Sequence, residues 1–76
     1  MLPLTYQRLA DEAMERYVLW REACAGVNSA YDAWLAARAG DRRLAGAAHV
    51  AALDREQAAA SLYAEAIEQL AARQPA

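Results

Sequence analysis

His49 and Glu56 are ionisable side chains that fall on an otherwise apolar helical stripe. Seven residues separate them, so they stand two turns apart on one face. A carboxylate on such a face is costly to bury unless it is paired or hydrogen-bonded. Tyr63 shares their stripe, and if the chain folds back on itself Cys24, Tyr31 and Tyr17 come to lie opposite. A layer of imidazole, carboxylate, thiol and phenol groups suits more than one chemistry. One is a buried hydrogen-bond layer, in which tyrosine hydroxyls meet the His49 ring and the Glu56 carboxylate and fix the register. Another is a small-ligand or metal site with Cys24, His49 and Glu56 as mixed ligands. In a third, both residues sit at the rim of an assembly and reach water. The spacing argues against metal, because ligands on a helix favour i, i+3 or i, i+4, as in Glu-x-x-His, and that arrangement is absent.

Other side chains add little chemistry. Tyr17, Trp20, Tyr31 and Trp34 could line a pocket for an aromatic ligand, but aromatic residues at helical spacing are the ordinary content of a core. There is no nucleophile–base constellation, glycine-rich phosphate loop, Cys-x-x-Cys or His-Glu-x-x-His motif, so neither catalysis nor a cofactor is expected. Arg38, Arg42 and Arg43 form a basic cluster able to meet a phosphate or an acidic partner. Elsewhere Arg8, Arg16 and Arg21 are interleaved with Asp11, Glu12, Glu15 and Glu22, and the formal net charge is −2. That balance gives no reason to expect nucleic acid or an anionic membrane.

The elements that carry these residues follow from periodicity. Tyr6, Ala10, Ala13, Tyr17, Trp20, Cys24, Val27, Tyr31 and Trp34 are spaced alternately by four and three residues, the heptad stripe of a long helix lying against a partner. A helix over 5–38 is expected, capped by Thr5 and opened by Pro3, with a hydrophobic staple between Leu4 and Leu9. Beside the seam runs a row of mostly small residues, Leu9, Arg16, Ala23, Ala30 and Ala37, which lets a second helix come close. Asp11, Glu15, Glu22, Ser29 and Asp32 form the wet face. Gly26 opens a stretch of weak helix formers that could bend the helix.

The break falls at 39–41, with Gly40 suited to a left-handed C-terminal position and Asp41 to the cap of the next helix. A second helix is expected over 42–73, ending before Pro75. Its seam is Gly46, His49, Leu53, Glu56, Ala60, Tyr63, Ile67 and Leu70, flanked by the alanine row 45, 52, 59, 66. So short a connection makes an antiparallel hairpin in which facing residue numbers sum to about 80. Trp34 then meets Gly46, Tyr31 meets His49, Cys24 meets Glu56, and Tyr17 meets Tyr63.

Composition agrees with an all-α chain: three Val, one Ile, one Thr and no Phe leave little to build strands from. The 76 residues make one helical-hairpin domain, 1–76, close to the lower limit for a self-sufficient core. Two Trp and four Tyr are more than one partner helix shelters, so self-association is expected, with a two-fold dimer forming a four-helix bundle. Trp20, Val27, Trp34, Leu53, Ile67 and Leu70 are its expected interface. Met14, Val18 and Leu19, with Arg42 and Arg43, are the expected surface for a further copy or a protein partner. A lone cysteine, no signal-peptide pattern and no apolar run of membrane-spanning length lead to an expectation of a cytoplasmic protein off the membrane. The functional expectation is an interaction or assembly hairpin acting as a homo-oligomer, with a ligand- or metal-binding bundle as the alternative.

Overall fold

The computed structural model describes residues 4–73. Helix α1 spans Leu4–Ala36 and helix α2 spans Arg42–Ala72, with a 3-10 turn at Ala39–Asp41 between them. No strand occurs among the described residues. The chain is an all-helical hairpin shaped as a rod of 58 × 15 × 14 Å. Its radius of gyration is 17.3 Å, where a compact chain of this length has about 11 Å.

Both helices are long because nothing in their interiors stops them. Neither contains a proline, and α1 runs unbroken through Gly26. Thr5 lies inside α1 rather than capping it, and Leu4 is mostly exposed, so no staple closes on Leu9. Pro3 and Pro75 lie outside the described residues. The reversal also differs from expectation. α1 ends at Ala36 rather than 38, and Arg38 turns extended, with φ −71° and ψ 159°. The Asp41 N–H then closes on the Arg38 carbonyl at 2.8 Å, and the turn feeds α2. No glycine has positive φ, so Gly40 is not in the left-handed region. Asp41 precedes α2 in a helical conformation, φ −104° and ψ −5°, and its side chain makes no capping bond. One extended residue followed by a tight turn reverses the chain without either device.

The predicted register is observed. Tyr31 meets His49 and Tyr17 meets Tyr63, each with ring centres 5.5 Å apart, and Trp34 lies over Gly46. The contact is nevertheless rotated on both helices relative to the predicted seams. The buried side chains are Ala13, Ala52 and Ala66, two of them from the row expected to flank the α2 seam. Ala23, Ala30, Ala37, Ala45 and Ala59 are half-buried. By contrast Tyr17, Tyr31, Leu53 and Ile67, all predicted seam residues, stay 39%, 44%, 43% and 41% exposed. Alanine lets two backbones approach closely, because its side chain ends at Cβ. The helices therefore settle toward their alanine rows. That rotation leaves the aromatic side of the rod open. The face of α1 expected to be wet, Asp11, Glu15, Glu22, Ser29 and Asp32, is exposed.

Candidate functional site, an open aromatic groove

Along the open side the polar and aromatic side chains form three layers. Nearest the turn, the His49 ring stacks on Trp34 at 5.5 Å with planes 22° apart, and Tyr31 meets it at 5.5 Å and 52°. The indole edge of Trp34 fills the space above Gly46, where an added Cβ would stand 3.3 Å from Nε1. At mid-rod the Trp20 indole N–H donates to Glu56 Oε1 at 2.9 Å. The Cys24 thiol points to the same oxygen at 3.9 Å, the outer edge of a weak sulfur hydrogen bond. Toward the open end Trp20 stacks on Tyr63 at 5.8 Å and 15°, and Tyr17 meets Tyr63 edge-on at 5.5 Å.

This arrangement departs from a single His–Glu–Tyr layer. His49 and Glu56 keep their two-turn separation, about 10.5 Å of helix rise, and sit in different layers. No tyrosine hydroxyl bonds to either among the described residues. Both are half-buried rather than buried in the hairpin. The donor to Glu56 is Trp20, a residue that the seam pattern places in the apolar interface. Its signal was present in the sequence: an indole N–H on a packed seam needs an acceptor, and Glu56 is the carboxylate on the facing stripe. Cys24, His49 and Glu56 do not converge, and no group of three His, Cys, Asp or Glu side chains able to hold a metal occurs among the described residues.

Between these layers lie shallow apolar grooves. One, toward the open end, is lined by Ala10, Ala13, Met14, Tyr17, Tyr63, Ile67 and Leu70. Another, at mid-rod, is lined by Cys24, Val27, Asn28, Leu53 and Glu56. Both follow the same two stripes, Ala10–Tyr17–Cys24–Tyr31 on α1 and Gly46–Leu53–Ala60–Ile67 on α2. Of the expected interface residues, Trp20, Val27, Trp34 and Leu70 are half-buried by the hairpin's own contact, while Leu53 and Ile67 face outward. Met14, Val18 and Leu19 line a second shallow depression on the outer side of α1 with Glu15, and Met14 borders the open-end groove as well. Arg42 and Arg43 are exposed at the start of α2. None of the described helices is long and apolar enough to cross a membrane. No family model, curated protein or solved structure matches the chain.

Proposed function

We propose that this chain is an assembly module: a helical hairpin that works as a homo-oligomer and presents a protein-binding surface. The observation carrying this reading is how little the hairpin hides. Its buried side chains are three alanines, while Tyr, Leu, Ile, Val and Met side chains stand exposed along its length. A folded monomer of 8.3 kDa exposes about 4,600 Å². The hairpin exposes 5887 Å², an excess of about 1,300 Å². A standard protein–protein interface takes about 800 Å² from each partner, and permanent ones take more. The excess is of the size that one further docking event removes.

Energetics point the same way. Ordering the backbone costs roughly 1–2 kcal/mol per residue. Burial of alanines returns little per residue compared with Leu, Ile or an aromatic ring. A two-fold dimer would close the hairpins into a four-helix bundle and give the half-exposed rings the cover they lack. Val18 and Leu19 would remain outside that contact, with Met14 at its edge, as a surface for a protein partner.

The test is the mass of the purified chain in solution across a range of concentrations. Self-association in the micromolar range supports the reading. A folded monomer at all concentrations removes it.

A further inference from the structure

The two long sides of the rod differ in chemistry. On the groove side each stripe alternates small and large: Ala10, Tyr17, Cys24, Tyr31 on α1, and Gly46, Leu53, Ala60, Ile67 on α2. The large members are partly exposed, and hollows lie beside Ala10 and Cys24, while Trp34 fills the space above Gly46. The opposite side is flanked by near-continuous alanine and carries charge. The Glu12–Arg16 pair lies there at 3.7 Å, with Arg55 on α2 and the exposed leucines Leu19, Leu44 and Leu62.

We infer that a second copy of this chain docks on the groove side, its projecting Tyr17, Tyr31, Leu53 and Ile67 entering the hollows of the first, and that Glu56 on the groove floor holds the affinity down. The inference rests on the self-association reading and names the surface that would carry it. Alternating large and small residues on one face are self-complementary under a two-fold, because knobs and holes are supplied by both copies. A side of 58 × 15 Å gives a footprint of about 900 Å², enough for a stable dimer. The alanine side carries exposed leucines but neither of the two exposed tyrosine rings.

Glu56 gives this face a distinctive signature. Its Oε1 receives Trp20 and the Cys24 thiol, and no cation pairs with it among the described residues. The charged residues close to Trp20 and Glu56 in sequence, Arg21 on α1 and Asp54 and Arg55 on α2, are all exposed. Docking a copy over the groove takes water from the carboxylate without supplying an opposite charge, which opposes association. Removing the charge and keeping the acceptor therefore strengthens pairing.

Sedimentation equilibrium of the whole chain and three variants tests this, with folding checked by circular dichroism. Leu53→Asp and Leu62→Asp are matched, because both leucines are 43% exposed but on opposite sides of α2. Leu53→Asp is expected to weaken self-association by about a hundredfold or more, and Leu62→Asp by less than about threefold. Glu56→Gln is expected to tighten it by about tenfold, with the associated species still of dimer mass. A self-associating chain broken by Leu62→Asp and indifferent to Leu53→Asp overturns the choice of face while self-association stands. Unchanged or weaker pairing in Glu56→Gln overturns the role given to the carboxylate. A wild-type chain that is monomeric throughout removes the assembly reading and this inference together.

Discussion

The Trp20 indole N–H reaches across the hairpin to the Glu56 carboxylate at 2.9 Å, joining the helices midway along the rod. Side chain to side chain hydrogen bonds between the helices are otherwise limited, among the described residues, to the long Cys24 contact on the same oxygen. Trp20→Phe removes the donor and keeps a ring on Tyr63. A hydrogen bond to a charged acceptor in a half-exposed setting is worth about 1 kcal/mol. Chemical denaturation should show a loss of about that size. Glu56→Gln keeps an acceptor oxygen and should not reproduce it.

Ala52 is 2% exposed and sits where the helices approach each other. A leucine there has to push the backbones apart, and overpacking of this kind costs about 1–3 kcal/mol. Ala51, one residue earlier, is exposed. Thermal melts should separate the two: Ala52→Leu destabilised, Ala51→Leu within about 0.5 kcal/mol of the parent.

The glycines give a graded series. An added Cβ at Gly26 meets nothing within 4 Å, so Gly26→Ala in mid-helix should stabilise by about 0.8–1 kcal/mol. Gly40 is equally unobstructed and has no positive φ, so Gly40→Ala should gain about 0.4–1 kcal/mol through the unfolded state. Gly46→Ala places its methyl 3.3 Å from Trp34 Nε1, and the indole, stacked on His49, has to shift. Its gain should fall short of that at Gly26. Denaturant midpoints of the three variants check the order.

Folding coupled to association leaves its own mark. If a second copy covers the groove, the melting temperature rises with protein concentration, because dilution releases the partner. A tenfold dilution series followed by circular dichroism should show steadily falling midpoints. Leu53→Asp should flatten that dependence.

The hairpin, its turn position and its register were legible in the sequence because they rest on spacing alone. Tyr17 opposite Tyr63 and Trp34 over Gly46 follow once the chain reverses near Gly40. The rotation of the helices about their axes was not legible. Heptad spacing marks a stripe, but the Tyr17–Tyr31 row and the neighbouring Ala23–Ala30 row are both apolar, and pattern does not rank them. Interhelical distance does, and small side chains win at short distance. Glu56 shows the same limit. Its place on the seam could be read, but its choice of the Trp20 donor over a tyrosine hydroxyl depends on that rotation. The turn differs in detail from the glycine pattern: Gly40 takes no left-handed conformation, and an extended Arg38 makes the reversal instead.

The central claim is that one hairpin cannot keep its aromatic side dry and a second copy does so. Sedimentation equilibrium of the wild-type chain tests it most directly. The account predicts a species of twice 8.3 kDa at micromolar concentration, dissociating on dilution with loss of helix. A well-folded 8.3 kDa particle, melting cooperatively at one temperature whatever its concentration, would contradict it.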